Sequence, residues 1–151
     1  MKILIVDAGN YCRSPVAEYV LRQLQRAARS GQALSFSSAG LKDKHAGDPA
    51  DPRSIAACAA RGYDLTAHRC REITAQDFRD SALILAMDRD NLAQLQQRKP
   101  TDSATRLELF LGDAEVPDPY YGGDDGFALM MDQIEAGSRT LLTRLNSGPA
   151  R

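Results

Sequence analysis

Residues 1–18 have the sequence MKILIVDAGNYCRSPVAE, and this stretch decides the fold. The apolar run at residues 3–6 (ILIV) is bounded by polar residues and glycine, which is typical of a short buried β-strand. The next residues include Gly9 and Asn10, two types that tolerate the positive φ angles of a tight turn. Ser14 suits a helix cap, and Pro15 suits the first helical position, where its missing N–H costs nothing. The stretch therefore predicts a strand, a tight loop and the start of a helix.

A loop of this kind can bind an anion, and we call residues 7–14 the anion loop. Successive backbone N–H groups of such a loop point inward, and the positive end of the helix dipole adds to their attraction. Arg13 supplies a planar, two-pronged donor that matches phosphate oxygens. We expect an oxyanion such as phosphate to bind here.

The composition of the 151 residues limits the possible classes of function. Hydrophobic residues make up 43% and charged residues 26%, as in ordinary globular proteins, and the length suits one domain over residues 1–151. A formal net charge of −1 argues against nucleic-acid and acidic-membrane partners, which favour a strong basic excess. No apolar run approaches the roughly 20 residues that a membrane-spanning helix needs, and no signal-peptide pattern opens the chain.

Cysteine and histidine usage predicts a reducing, cytoplasmic setting. Three irregularly spaced cysteines do not make a disulfide framework. Two histidines, without CxxC or HxxxH spacing, argue against a metal site. We expect no cofactor and a monomer.

Strand and helix signals alternate along the chain, which predicts an α/β fold. The expected architecture is a three-layer sandwich, with a four-stranded parallel sheet and helices on both faces joined by right-handed crossovers. Ligands of such sheets bind at the carboxyl ends of the strands, where the anion loop lies. Predicted strands cover residues 3–6, 34–38, 82–87 and 107–111, and predicted helices cover 15–28, 52–61, 74–78, 89–97 and about 127–145.

Residues 7–15 (DAGNYCRSP) resemble the signature loop of the low-molecular-weight protein tyrosine phosphatases. That signature is a nucleophilic cysteine, five residues, an arginine, and a serine or threonine. This chain fits it except at the first position, where Asp7 replaces the cysteine. The resemblance continues in family order over nearly the whole chain, through segments 38–49, 62–74, 84–92 and 116–122.

The resemblance implies hydrolysis of phosphotyrosine or another aryl phosphate through a phosphoryl-enzyme intermediate. It assigns Asp7 to the nucleophile position, phosphate binding to Arg13, and the role of general acid and base to Asp118. It also implies that Ser38 and His68 support the loop, together with Asn10 and Ser14. The residues that it places around the phosphate are Ala8, Gly9, Asn10, Tyr11, Cys12, Arg13 and Ser14.

Asp7 is expected to impair catalysis. We expect its carboxylate to accept N–H bonds of the anion loop and to pair with Arg13. Such a group is a poor nucleophile, and it also repels phosphate. At an effective dielectric constant near 20, two unit charges ~4 Å apart repel by roughly 4 kcal/mol. Turnover by this chain is therefore predicted to be weak or absent.

Substrate preference depends on the predicted walls of the site. Tyr120 and Tyr121, beside Asp118, and Tyr11 in the loop can stack on an aromatic ester. Lys44 stands where the family often has an aromatic residue, which indicates more acidic substrates or an acidic patch on a partner.

Two other functions stay open. One is a non-catalytic module that binds phosphoryl groups, a pseudophosphatase. The other, less favoured, is a thiol-dependent arsenate reductase of the same fold, which needs a nucleophilic cysteine and further redox cysteines. Asp7 argues against it, and Cys58 and Cys70 are expected to be remote packing residues. Cys12 is poorly placed for in-line attack.

Overall fold

Helices and strands alternate as the sequence predicts. The structure is a computed structural model, which describes residues 1–28 and 33–147 except for the side chains of Tyr121 and Asp124. In chain order the elements are β1 (Lys2–Asp7), α1 (Arg13–Ala28), β2 (Ser35–Gly40), α2 (Pro52–Ala59), α3 (Ala75–Asp80), β3 (Leu83–Ala86), α4 (Arg89–Arg98), β4 (Arg106–Leu109), a short 3-10 helix (Pro119–Tyr121) and α5 (Asp124–Asn146).

The start of α1 differs from the prediction. The helix begins at Arg13, two residues before the predicted Pro15. The Asp7 carboxylate accepts the backbone N–H groups of Arg13 and Ser14, at 3.1 and 2.9 Å, so it performs the capping that the sequence assigned to Ser14. An acidic group there also faces the positive end of the helix dipole.

The sheet has four parallel strands in the order β2-β1-β3-β4. Val6 in the central strand β1 pairs with Ala39 on one side and Ala86 on the other. The predicted α/β fold with a four-stranded parallel sheet is confirmed. Since all strands run in one direction, their carboxyl ends meet at one edge, where Asp7 ends β1.

Two hydrophobic cores lie on opposite faces of this sheet. Ile3 and Ile5 of β1 belong to the larger core, which α1, α2 and α5 cover. Leu4 and Val6 point to the smaller core under α3 and α4. The alternation follows from the period of two in a strand, and the apolar run at residues 3–6 is buried on both sides.

Gly40, the last residue of β2, lets the anion loop approach the sheet. A Cβ atom at this position would lie 2.7 Å from the Gly9 carbonyl carbon and 2.8 Å from the Asn10 nitrogen. Any side chain there would push the loop away, so this position requires glycine.

Three findings concern the described residues, 1–28 and 33–147. No helix among them is both long enough and apolar enough to cross a membrane. Within these ranges, no cluster of three or more His, Cys, Asp or Glu side chains could hold a metal ion. The three cysteines are buried free thiols.

Candidate active site

The anion loop curls back on itself between β1 and α1. Asn10 has a φ of 58°, the left-handed conformation that its residue type tolerates. A positive φ angle was also expected to be possible at Gly9, but the φ angle of Gly9 is not positive in the structure. Gly9 has a steric role instead, because a Cβ atom would lie 3.3 Å from Cδ2 of His45.

Asp7 forms the floor of the loop and is only 3% exposed. Its Oδ1 accepts the Asn10 N–H at 2.6 Å, and its Oδ2 accepts the N–H groups of Arg13 and Ser14. The carboxylate thus accepts loop N–H bonds, as expected. These bonds hold it at the end of β1, facing the start of α1.

Other N–H groups of the loop are available to a ligand. Those of Ala8, Gly9, Tyr11 and Cys12 donate no hydrogen bond to any residue that the structure describes. These residues line a pocket together with Asp7 and Arg13. Unsatisfied N–H groups that converge on a concave surface suit an oxyanion.

The Arg13 side chain is 2% exposed and is fixed by residues from other elements. Its Nη1 donates to Oδ2 of Asp88 and to the Val116 carbonyl, both at 2.8 Å, and its Nη2 lies 3.6 Å from Oδ2 of Asp118. The expected pairing of the guanidinium with Asp7 is wrong, since Asp7 meets the backbone N–H of Arg13 and the guanidinium pairs with Asp88. Nε of Arg13 is buried and has no partner among the described residues.

Asn10 holds the loop in shape through its side chain. Its Nδ2 donates to Oγ of Ser14 and to Oγ of Ser38, both at 2.9 Å, and its Oδ1 accepts the Arg71 N–H at 2.9 Å. All of Asn10, Ser14 and Ser38 are buried. These bonds join the loop, α1, β2 and the segment before α3.

His68 contacts the same part of the loop. Its Nε2 lies 3.1 Å from the Asn10 carbonyl oxygen, which can only accept, so Nε2 carries the proton. Its Nδ1 lies 4.0 Å from Oε1 of Glu18, which also accepts the Ser38 hydroxyl. Burial lowers the pKa of His68 below its ordinary value, despite the opposing effects of the Asn10 carbonyl and Glu18.

Aromatic rings and two lysines surround the mouth of the pocket, which has a volume of about 150 Å³. The rings of Tyr11 and His45 stack with centroids 3.8 Å apart, and the ring of Tyr120 lies edge-on to Tyr11 at 6.1 Å. Lys42 and Lys44 also line the pocket. The side chain of Tyr121, the other predicted wall residue, lies outside the described residues.

Asp118 lies in the same pocket, 104 to 111 residues along the chain from the loop it faces. Its Oδ1 accepts the Tyr120 N–H at 3.0 Å and caps the 3-10 helix, while Oδ2 faces Arg13. The side chain is 37% exposed. A carboxyl group that is fixed at one oxygen and accessible at the other can exchange a proton with a ligand above the loop.

The cysteines are poorly suited to redox chemistry. Cys12 lines the pocket, but burial, with Asp51 beside it, raises the pKa of its thiol well above the ordinary value. Burial also raises the pKa of Cys58 to about 12 and that of Cys70 to about 11. Buried thiols with such pKa values are mostly protonated and unreactive near neutral pH.

Three acidic side chains of the site were missed in the sequence. Asp88 pairs with Arg13 and caps α4, Glu18 joins Ser38 to His68, and Asp51 accepts from Cys12 Sγ at 3.5 Å. Asp88 could have been found, because it comes two residues after the end of β3, at the same sheet edge. Glu18 gave no signal, since a glutamate in a helix is usually exposed.

Comparison with known proteins shows similarity to low-molecular-weight phosphotyrosine protein phosphatases. Residues 2–150 match the family described as "Low molecular weight phosphotyrosine protein phosphatase". A "Low molecular weight protein-tyrosine-phosphatase" of Streptomyces coelicolor is 38% identical over 150 residues, which cover 93% of this chain and 91% of that protein.

Two solved structures are similar over almost their whole length. A protein tyrosine phosphatase from Entamoeba histolytica, solved with Hepes in its active site, has a TM-score of 0.91 and 34% identity and covers 98% of each chain. The Drosophila arginine phosphatase has a TM-score of 0.90 and 31% identity, over 99% of this chain and 100% of that one.

Proposed function

The chain belongs to the low-molecular-weight phosphotyrosine protein phosphatase family, and on that premise we propose that its pocket binds the phosphoryl group of a phosphotyrosine or another aryl phosphate. The family is that of phosphotyrosine protein phosphatases, which are hydrolases of phosphorylated substrates. The roles of individual residues in this chain are part of the proposal.

The observation that carries the proposal is a set of unused donors around one pocket. Four loop N–H groups and the buried Nε of Arg13 have no acceptor among the described residues. Buried donors without acceptors are costly, so a site that keeps them is built for a ligand that supplies the acceptors. Phosphate oxygens match this set in number and charge.

Asp118 is proposed as the general acid and base. It faces Arg13 above the loop, where an ester oxygen would leave, and it can donate a proton to that oxygen and later accept one from water. Arg13 would bind two phosphate oxygens while Asp88 and the Val116 carbonyl keep its guanidinium in place.

Asp7 is proposed to occupy the nucleophile position in an inactive form. Its two oxygens already accept three N–H groups, and its charge faces the site of the phosphate dianion. Attack on phosphorus would break these bonds and bring the carboxylate against a phosphate of like charge. We therefore expect turnover of this chain to be weak or absent.

A second candidate is a pseudophosphatase that binds phosphoryl groups without hydrolysing them. The same carboxylate favours it, since the loop, Arg13 and Asp118 keep their arrangement around a poor nucleophile. Arsenate reduction has no comparable support, because Cys58 packs against Met131 in the core and all three thiols have raised pKa values.

The walls favour an aryl ester over a phosphoarginine. The solved Drosophila relative is an arginine phosphatase, so membership of the family alone does not fix the phosphorylated residue. In this chain the stacked rings of Tyr11 and His45, with Tyr120 edge-on, offer flat apolar surfaces to a phenyl ring.

Restoring the nucleophile tests the proposal. Hydrolysis of phenyl phosphate and of phosphoarginine would be measured for the unmodified chain, Asp7→Cys and Asp7→Ser. We expect Asp7→Cys to hydrolyse the aryl ester at least about 10³-fold faster than the other two, as expected for a covalent nucleophile. An inactive, folded Asp7→Cys protein would contradict the phosphatase assignment, and preference for phosphoarginine would contradict the substrate assignment.

A further inference from the structure

Two lysines lie at the mouth of the pocket. Lys42 and Lys44 line the pocket, and neither forms an ion pair with any residue in the described ranges. The backbone N–H of Lys42 donates to the Ala8 carbonyl at 2.9 Å, which fixes this segment against the anion loop. Nζ of Lys44 lies 5.8 Å from the centre of the Tyr120 ring, a cation–π contact that leaves the charge accessible.

The charges deeper in the pocket do not need these lysines. Asp7 is satisfied by three N–H groups, and Arg13 is paired with Asp88 and faces Asp118. The two ammonium groups are therefore the pocket's uncommitted positive charges among the described residues that line it.

Acidic residues of the same segment do not neutralise the lysines. Asp43 lies between them in the sequence, and Asp48 lies 3.8 Å from Nδ1 of His45. Neither Asp43 nor Asp48 is among the described residues that line the pocket. Lys42 and Lys44 thus offer two exposed positive charges to an anion that enters this pocket from solvent.

We propose that Lys42 and Lys44 form a second anion subsite, which binds the carboxylate of an acidic residue flanking the phosphotyrosine of a peptide substrate. The inference rests on the proposed function, because it places the phosphoryl group in the anion loop. A phosphopeptide carries both groups on one chain, so the loop binds the phosphate while the lysines bind the neighbouring carboxylate. The subsite thereby selects acidic phosphopeptides from among aryl phosphates.

The expected effect is modest because both lysines are exposed. Exposed ion pairs contribute about 1.4- to 5-fold each to binding, so two of them contribute about 2- to 25-fold together, and we expect about 3- to 10-fold, near the middle of that range. Salt should reduce this preference, since the Debye length is only about 8 Å at physiological ionic strength.

The test uses two peptides that differ in charge alone. One has glutamate on both sides of phosphotyrosine and the other has glutamine there. Phenyl phosphate, which has no charge besides its phosphoryl group, serves as a third substrate. The variants are K42Q/K44Q and, as a control for the loss of two charges, R26Q/K99Q, each in an Asp7→Cys background. Arg26 and Lys99 lie at the C-terminal ends of α1 and α4 and do not line the pocket.

We expect K42Q/K44Q to lower kcat/KM about 3- to 10-fold for the glutamate peptide and less than about twofold for the other two substrates. The control variant R26Q/K99Q should leave kcat/KM unchanged for all three substrates.

Equal losses of kcat/KM for both peptides, or no loss for either, would overturn the second subsite while leaving the phosphatase assignment intact. If no substrate is hydrolysed, the proposed function fails, and fluorescence anisotropy of the labelled glutamate peptide on Asp7→Ser, with and without K42Q/K44Q, decides the inference. Binding there that is unaffected by K42Q/K44Q overturns it.

Discussion

The floor and the mouth of the pocket are built in different ways. At the floor, the side chains of Asp7, Asn10 and Arg13 are almost fully buried and each makes several hydrogen bonds. At the mouth, Asp118 is partly exposed and the lysines are exposed, held by single hydrogen bonds or ring contacts. The hydrogen bonds at the floor fix its geometry, whereas we expect substitutions at the mouth to leave the fold intact.

We expect the floor to determine folding and reaction rate, and the mouth to determine which substrates are preferred. Buried bonds that fix a loop are costly to break, so changes at the floor should affect folding and rate together. Exposed contacts at the mouth contribute little to stability, so changes there should affect substrate choice or one catalytic step. Each prediction below tests one side of the contrast.

Removing the proposed acid should produce the largest change. In an Asp7→Cys background, Asp118→Asn should lower kcat/KM for phenyl phosphate about 10²- to 10⁴-fold, since kcat/KM reports the step in which the phenol leaves and general acid catalysis contributes about that much. Asparagine can still accept the Tyr120 N–H, so the 3-10 helix should keep its cap. The loss should be much smaller for p-nitrophenyl phosphate, whose leaving group needs no proton. Asp102→Asn, at an exposed residue that pairs with Arg79, is the control, and equal losses for both esters would rule out this role.

At the floor, Asn10→Ala should lower the free energy of unfolding by about 2–4 kcal/mol, because it removes three buried hydrogen bonds and places alanine at a positive φ. Asn10→Gly loses the same bonds without the strain, so it should be about 1 kcal/mol more stable than Asn10→Ala. Urea unfolding of the parent, Asn10→Ala and Asn10→Gly measures both the cost of the lost hydrogen bonds and the cost of the strained backbone. An Asn10→Ala protein as stable as the parent would contradict the view that the floor is fixed by these bonds.

Arg53 connects floor and mouth. It pairs with the buried Asp51, donates to the Tyr120 carbonyl at 3.1 Å, and its guanidinium carbon lies 4.7 Å from the centre of the Phe127 ring. Arg53→Gln in an Asp7→Cys background should lower kcat about two- to fivefold, because the turn after Asp118 loses this anchor. Arg61→Gln removes a comparable arginine that pairs with Asp132 and Glu135 elsewhere, and it should leave kcat unchanged.

The smallest expected effect is a pH dependence of stability that originates at His68. Burial lowers the pKa of His68 in the folded protein below the value of 6.5, so the unfolded chain takes up the proton first as the pH falls. The contribution of neutral His68 to stability is therefore complete above about pH 6.5 and is lost as the pH falls through the folded-state pKa. Glu18 and Asp7 oppose this shift. Between pH 7.5 and 5.5, His68→Gln should lose less stability than the parent in urea unfolding, and an equal loss would exclude His68 as the source.

Much of the fold was readable from the sequence because its signals are local. The structure contains the strand predicted from the ILIV run, the predicted alternation of strands and helices, and the helix start predicted at Asp51-Pro52. Each of these predictions depends only on residues close together in the sequence. The shifted start of α1 could not be predicted. It depends on a carboxylate six residues earlier that folds back onto the helix, which the residue types alone did not reveal.

The site was predictable to a smaller extent. The resemblance placed Arg13 and Asp118 in one pocket, and the structure brings them within 3.6 Å. The prediction named the wrong ion-pair partner for Arg13. Asp88 comes 75 residues later in the chain, and the two residues are neighbours only because β3 lies beside β1 in the sheet. The buried contacts of Glu18 likewise depend on packing between α1, β2 and the loop that carries His68.

The central claim is that a buried carboxylate at residue 7 occupies the floor of an otherwise complete oxyanion site. Calorimetric titration of inorganic phosphate into the unmodified chain and into Asp7→Ser tests it without any catalytic step. Removal of a charge that costs roughly 4 kcal/mol should tighten phosphate binding by several hundredfold in Asp7→Ser. Equal affinities in the two folded proteins would contradict the claim.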